Sequence, residues 1–185
     1  MTGLCLELAT ASVSFTATAH AQDGWSELAQ PNTIVLFRHA TAPGAGDPPG
    51  FTLDDCATQR NLDDKGREEA RKLGEQFRSR KIKVGAVLTS QWCRTRETAR
   101  LAFGDVVKDA PAFNSSFLAS DDISAAQTAQ ARAVLANWRG PGALVVVSHQ
   151  VNITALTGVH PSSAEGVVVR PADDGSLKVL GTIKP

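Results

Sequence analysis

The chain has 185 residues, of which 42% are hydrophobic and 21% are charged. This composition is typical of a globular domain and excludes intrinsic disorder, which needs low hydrophobicity together with high net charge. The 19 basic residues balance the 19 acidic ones, so the chain lacks the basic excess of a general nucleic-acid binder. The sequence holds no uncharged apolar run of about 18 residues, and we therefore expect no membrane-spanning helix.

Residues 1–21 are expected to form a leader that precedes a folded domain over residues 22–185. The stretch is small, apolar and rich in hydroxyl groups, and it ends in Ala19-His20-Ala21, an A-x-A cleavage pattern. It lacks a positively charged start. Two interpretations stay open: a clipped signal peptide, which predicts a periplasmic or secreted protein, or a disordered or helical extension of a cytoplasmic one.

The body of the chain alternates short apolar runs with amphipathic segments. The apolar runs predict strands at residues 33–37, 84–88, 143–147, 166–170 and 177–180. The amphipathic segments predict helices at residues 63–80, 91–103, 123–138 and 151–156. The alternation indicates an α/β fold, a three-layer α/β/α sandwich with a mostly parallel central sheet whose last two strands form a hairpin.

Polar side chains follow three of these strands where they end. Arg38 and His39 follow the first strand, Arg94 lies within the first turn of the helix after the second, and His149 follows the strand at residues 143–147. In open α/β sheets, ligands bind beyond the carboxyl ends of the strands. Arginine forks match phosphate oxygens, and histidine can act as a nucleophile. Arg94 alone would be read as a solvated helix residue and His149 as a structural histidine, but together the four residues suggest phosphoryl transfer.

Four segments resemble a known family. Residues 36–40 (LFRHA), 89–99 (TSQWCRTRETA) and 146–149 (VVSH) are similar, in this order, to three motifs of the histidine phosphatase superfamily, also called phosphoglycerate-mutase-like. Residues 61–70 (NLDDKGREEA) resemble its first helix. The resemblance implies the phosphoglycerate-mutase-like fold, His39 as the nucleophile that becomes phosphohistidine, and phosphate binding by Arg38, Arg94 and His149. It implies no metal and no cofactor, because guanidinium groups supply the positive charge.

The implied activity is hydrolysis of phosphate monoesters, as in a histidine acid phosphatase, and one expected element is missing. Many members carry an acidic residue after the third strand, where this chain reads AFNSSF at residues 112–117. Asp121 and Asp122 are candidates for the general acid, although carboxylates at this position also suit a helix N-terminus. Without an acid, substrates with good leaving groups are favoured. The alternatives are therefore a phosphohistidine or phosphoramidate phosphatase, or a catalytically weak module that binds a phosphorylated ligand.

The loop from Thr41 to Arg60 is expected to cover the site. Arg60 is a candidate third guanidinium for substrate, with a surface salt bridge as the alternative. Cys56 lies in this loop and Cys93 precedes Arg94, so a disulfide would hold the loop beside the site if the fold brings the two together. Two unrelated thiols are the other possibility.

Residues 149–158 (HQVNITALTG) look like those of an exported bacterial subgroup of the family. Within this segment, Gln150 and Asn152 either contact substrate or merely begin a helix. The expected partner is a small phosphorylated substrate such as a sugar phosphate. The motifs of cysteine phosphatases, P-loops and dinucleotide-binding folds are absent from the sequence, and its histidines lack zinc-ligand spacing.

Overall fold

The computed structural model describes residues 24–185, so the predicted leader at residues 1–21 lies outside the described residues. The described chain forms one six-stranded sheet and five α-helices. The strands are β1 (Ile34–Arg38), β2 (Val84–Thr89), β3 (Val107–Asp109), β4 (Ala143–Ser148), β5 (Gly166–Pro171) and β6 (Leu177–Ile183). The helices are α1 (Gly24–Glu27), α2 (Asp64–Ser79), α3 (Cys93–Phe103), α4 (Asp121–Ala136) and α5 (Gln150–Thr157).

The sheet is mixed and mostly parallel, in the strand order β3-β2-β4-β1-β5-β6. The pairs β2–β3, β2–β4 and β1–β4 are parallel, whereas β5 pairs antiparallel with β1 and with β6. The predicted α/β class and the terminal hairpin are therefore confirmed. In the β1–β4 register Arg38 faces Ser148, so the segments that carry His39 and His149 leave the sheet side by side at one edge.

Alternating side chains of the central strands pack into two cores, one on each face of the sheet. Val35 and Phe37 point to the face covered by α2 and α3, where Leu73 and Phe77 pack on them. The neighbouring residues of the same strands point to the other face, where α4 and α5 contribute Ala131, Leu135, Ile153 and Leu156. Helices on both faces make the three layers that the sequence predicts.

The start of α2 is fixed close to the end of β1. Asp63 caps the helix, because its carboxylate accepts the backbone N–H of Gly66 at 2.7 Å. A Cβ built at Gly66 would lie 2.0 Å from the carbonyl oxygen of Thr41. Glycine is therefore required for this close approach between the helix and the segment after β1.

Among the helices of residues 24–185, none combines the length and the apolar character needed to cross a bilayer.

Candidate active site

His39 lies directly after β1 and is buried and held on both sides. Its backbone N–H donates to the carbonyl of Ser148 at 3.0 Å, and the N–H of Ala40 donates to Oγ1 of Thr98 at 3.1 Å. The ring Nδ1 lies 2.7 Å from the carbonyl oxygen of Ala40. Because a carbonyl oxygen only accepts, Nδ1 carries the proton of the neutral ring. The lone pair is therefore on Nε2, which is the nitrogen available for attack.

His149 lies beside His39, at the end of β4. The two ring centroids are 5.6 Å apart and the rings are at 68° to each other. Nε2 of His149 shares a 2.8 Å hydrogen bond with the hydroxyl of Ser90, which follows β2. The indole of Trp92 packs 5.3 Å from the His149 ring. Residues that directly follow β2 thus hold a histidine that directly follows β4.

Guanidinium groups of Arg38 and Arg94 lie at the same edge of the sheet. Arg38 donates through Nη1 to the carbonyl of Pro161 at 3.3 Å. The Nε–H groups of Arg38 and Arg94 are both buried, and neither has a hydrogen-bond partner. Buried donors of this kind are costly unless an acceptor binds them, and a charged donor most favours an anion.

Asp47 of the loop after β1 pairs with Arg94. The carboxylate accepts Nη1 at 2.7 Å and Nη2 at 3.1 Å, and it also accepts the indole N–H of Trp92 at 3.0 Å and the backbone N–H of Arg60 at 3.0 Å. The side chains of Arg94 and Asp47 are 3% and 7% exposed. This end-on pairing fixes the guanidinium while its Nε remains uncommitted.

Arg60 lies at the site and also holds the covering loop. Its Nε donates to the carbonyl of Gly46 at 2.7 Å and its Nη1 to that of Ala42 at 2.5 Å. The guanidinium lines the same cavity as His39 and Arg94. Its positive charge therefore acts on the site while part of its hydrogen bonding is used within the loop.

The protonation of the site follows from burial and from these cations. Burial lowers the pKa of His39 to about 3, and the charges of Arg94, Arg60 and Arg38 act in the same direction. Burial, followed by the charges of His39 and the arginines, holds the pKa of His149 well below its usual value. Burial alone would raise the pKa of Asp47, but hydrogen bonds from Arg94 and Arg60 bring it below its usual value. Both histidines are therefore neutral and Asp47 is ionised at neutral pH.

These groups line a cavity of about 740 Å³. Three guanidinium groups face it against one carboxylate, that of Asp47, among the described residues that line it. Within residues 24–185, no group of three or more His, Cys, Asp or Glu side chains is placed to hold a metal ion. A neutral imidazole with a free Nε2 beside several guanidinium groups suits attack on a phosphorus atom whose oxygens need charge compensation.

The remaining candidates from the sequence lie at different distances from this cavity. Gln150 lines it, whereas the buried Asn152 is outside the lining and donates through Nδ2 to the carbonyl of Asn114 at 2.7 Å. Asp121 and Asp122 are exposed in the first turn of α4 and are not among the lining residues. Their role as a general acid stays a prediction, and Asn152 is seen to position a neighbouring segment.

Cys56 and Cys93 are joined by a disulfide, with Cα atoms 5.7 Å apart. The bond links the covering loop to the first residue of α3, directly before Arg94. Gln59 of the same loop accepts the backbone N–H of Cys93 through Oε1 at 2.9 Å. The loop is thus attached to the start of α3 by the disulfide and by the hydrogen bond between Cys93 and Gln59.

Two further residues of the site, Asp47 and Trp92, are not indicated by the sequence pattern. Asp47 is a single acidic residue in a loop rich in glycine and proline, and its partner Arg94 lies 47 positions away. Trp92 lies within the second motif, so its closeness to Ser90 and Arg94 in the sequence was an available signal.

Comparison with known proteins finds a family model that matches part of the chain. The model of the histidine phosphatase superfamily (branch 1) matches residues 34–112, which include His39 and Arg94. No curated protein matches the chain significantly by sequence.

Several solved structures share the fold. Rv3214 from Mycobacterium tuberculosis has a TM-score of 0.60 at 16% identity, over 81% of this chain and 96% of that one. A proposed phosphohistidine phosphatase, SixA, from Agrobacterium tumefaciens has a TM-score of 0.56 at 19% identity, over 84% and 99%. Phosphoserine phosphatase from Entamoeba histolytica, solved with 3-phosphoglyceric acid, has a TM-score of 0.57 at 15% identity, over 83% and 97%. The chain thus matches the histidine phosphatase superfamily model over residues 34–112 and shares the fold of these solved structures.

Proposed function

We propose that the protein is a phosphoric monoester hydrolase that acts through a phosphohistidine intermediate on His39. The observation that best supports this is the state of His39. Its ring is neutral, its Nδ1–H is held by Ala40, and three guanidinium groups share its cavity. A nucleophile needs a free lone pair, and phosphoryl transfer needs positive charge around the phosphate oxygens.

In the first step, the Nε2 lone pair of His39 attacks phosphorus, and the bond from phosphorus to the leaving oxygen breaks. The leaving group departs with that electron pair, and a phosphohistidine forms. The guanidinium groups of Arg38, Arg60 and Arg94, which line the cavity, compensate the charge of the phosphoryl oxygens as it is redistributed in the transition state. His149, held by Ser90, lines the same cavity beside this group.

In the second step, water attacks phosphorus and the phosphorus–nitrogen bond breaks. The electron pair returns to Nε2, phosphate is released, and the proton of the water passes to solvent. His39 is thereby regenerated in its starting tautomer, because the Ala40 carbonyl holds the Nδ1 proton throughout.

Among the described residues that line the cavity, no carboxylate is free to protonate the leaving group. Asp47 is the carboxylate that lines the cavity among the described residues, and it is ionised and bound to Arg94. This favours substrates whose leaving group needs no proton. A phosphohistidine or phosphoramidate phosphatase is therefore the second candidate, because an imidazole departs readily from phosphorus.

Turnover of p-nitrophenyl phosphate tests the proposal. We expect His39→Ala to lower kcat by about a thousandfold or more, and an alkaline quench of the wild type to trap one phosphoryl group that the variant lacks. Arg94→Lys should raise KM and lower kcat, whereas Arg96→Lys, two residues along and outside the cavity, should change neither. Undiminished turnover in His39→Ala would exclude this mechanism. Phosphate binding without turnover would instead support a binding module.

We also propose that the protein acts in the periplasm or outside the cell. The disulfide between Cys56 and Cys93 supports this, because disulfides persist in oxidising compartments and are rare in the cytosol. Fractionation of the native host, with detection of the protein in the periplasm or medium, tests it.

A further inference from the structure

Two large apolar side chains are exposed at the active-site cavity. Phe117 is 61% exposed and Leu118 is 80% exposed, and both line the cavity. They lie between Asn114 and the start of α4, in a turn where the N–H of Ala119 donates to the carbonyl of Ser116. Exposed apolar residues are unremarkable singly, but a pair beside a cationic cavity indicates a surface that binds an apolar group.

From Phe117 and Leu118, which form the apolar mouth of the cavity, aromatic side chains continue along the cavity lining towards the histidines. Phe51 and Trp92 both line the cavity, with ring centroids 5.8 Å apart. Trp92 in turn packs 5.3 Å from the ring of His149. A substrate phosphate bound at Arg38 and Arg94 would therefore have aromatic surface next to its organic part.

We propose that the cavity selects aryl phosphates, that is, phosphate monoesters of phenols; this rests on the phosphatase function proposed above. A flat aromatic group gains from burial against Phe51, Trp92 and Phe117. The hydroxyl groups of a sugar phosphate would lose water against the same surfaces without gaining partners. The apolar mouth and the aromatic lining therefore favour an aromatic group over the sugar that the sequence predicts.

The leaving-group chemistry supports the same class independently. A phenolate is a good leaving group, because the corresponding phenol has a pKa of about 10, as in tyrosine. An alkoxide from a sugar is a much stronger base, close to hydroxide, and departs far less readily without a proton. Because Asp47 is ionised and engaged with Arg94, the site favours the leaving group that needs no proton.

Binding of phosphonates tests the proposal without any contribution from leaving-group chemistry, because their phosphorus–carbon bond is not cleaved. Calorimetry with phenylphosphonate and methylphosphonate should show about tenfold tighter binding of the phenyl compound to the wild type. The double variant Phe117→Ser, Leu118→Ser should reduce this ratio to about threefold or less. Ile123→Ser is the matched control, because Ile123 is 60% exposed on α4 outside the cavity lining, and it should retain the wild-type ratio.

Equal affinities for the two phosphonates in the wild type, or an unchanged ratio in the double variant, would overturn the proposal. The same holds if the double variant disrupts a dimer of this chain while the ratio stays constant, because the mouth would then be an interface. Since phosphonate binding needs no turnover, these outcomes are distinct from failure of the proposed function, which is judged by His39→Ala.

Substrate kinetics separate the two sources of an aryl phosphate. Phenyl phosphate and N-acetyl-phosphotyrosine amide should both be hydrolysed with kcat/KM at least tenfold above that for glucose 6-phosphate. A phenyl phosphate preference over the phosphotyrosine compound assigns a small-molecule substrate, and the reverse assigns a tyrosine side chain. A higher kcat/KM for glucose 6-phosphate or for phosphoramidate than for both would contradict the proposal.

Discussion

Asp47, in the loop after β1, and Arg94, in α3, form a buried bidentate ion pair. The two Nη atoms of Arg94 donate to the two carboxylate oxygens of Asp47, at 2.7 and 3.1 Å. We predict that Asp47→Asn lowers kcat by about ten- to a hundredfold, because Arg94 loses the contact that orients its Nε–H. Inorganic phosphate should bind several-fold more tightly, because a competing negative charge is removed from the cavity. Steady-state kinetics and phosphate inhibition measure these opposite effects.

A second variant, Asp109→Asn, is the control for Asp47→Asn, and the two are compared in stability and in kcat. Removal of one partner from a buried ion pair costs about 3 kcal/mol of unfolding free energy. Asp109→Asn breaks a pair with Arg96 of similar geometry, at 2.9 and 2.6 Å, but Asp109 is 43% exposed and the pair lies outside the cavity. It should cost about 1 kcal/mol or less and leave kcat unchanged. Equal effects of the two variants on kcat would show that Asp47 does not orient Arg94.

The neutral state of His39 predicts an unusual pH response. Its pKa of about 3 means that the ring stays unprotonated, and its Nε2 lone pair stays available, from pH 8 down to about pH 4. Ring signals of His39 and His149, assigned by nuclear magnetic resonance with His39→Asn and His149→Asn, should not titrate over this range. A His39 midpoint near 6.5 would contradict the prediction.

Most of the fold was predictable because its cause is local. Strands β1 and β4 are built mainly from runs of branched apolar residues, and α2 begins at a capping aspartate. The three-residue β3 was not predicted, because it is short, partly exposed and defined by its pairing with β2. The four-residue α1 was also missed, for it is too short to show a helical period.

The site was predictable where chemistry lies at strand ends and not where it depends on the loop. Arg38 ends β1, and His39 and His149 follow β1 and β4, whose parallel register brings them together. Asp47 reaches Arg94 through the folding of a loop that has no periodic pattern. Its role depends on the long-range contact with Arg94, which no local pattern in the sequence indicates.

The histidines also link stability to pH. His39 has a pKa of about 3 when folded, against about 6.5 in an unfolded chain, so the unfolded state binds more protons between these values. Stability is therefore fully present above about pH 6.5 and is lost as the pH falls towards 3, with a slope of up to about 1.4 kcal/mol per pH unit. His149 acts in the same direction. Chemical unfolding at pH 7, 5.5 and 4 measures this slope, which His39→Asn should reduce by one histidine's share; an unaltered slope would contradict the assignment.

Two glycines of α2 offer a matched pair that separates stability from activity. A Cβ at Gly66 would meet the Thr41 carbonyl oxygen at 2.0 Å, and one at Gly74 would meet the Ala102 carbonyl oxygen at 2.2 Å. Both substitutions to alanine should cost about 2 kcal/mol of stability. Gly66→Ala should also lower kcat by about tenfold or more, because it displaces the segment that follows His39. Gly74→Ala, which affects the contact between α2 and α3, should leave kcat within twofold, and equal kcat losses would refute the distinction.

The disulfide between Cys56 and Cys93 closes a loop with a sequence separation of 37. Chain-entropy arguments give about 3–4 kcal/mol of stabilisation for such a loop. We therefore expect Cys56→Ser with Cys93→Ser to lower Tm by about 10 °C, and a reducing agent to lower the Tm of the wild type by the same amount. The double variant should be insensitive to the reductant, and a Cys5→Ser background excludes exchange with the third cysteine. If the unreduced protein yields separate Cys56 and Cys93 peptides by mass spectrometry, or if the reductant shifts both proteins equally, the bond does not stabilise the fold.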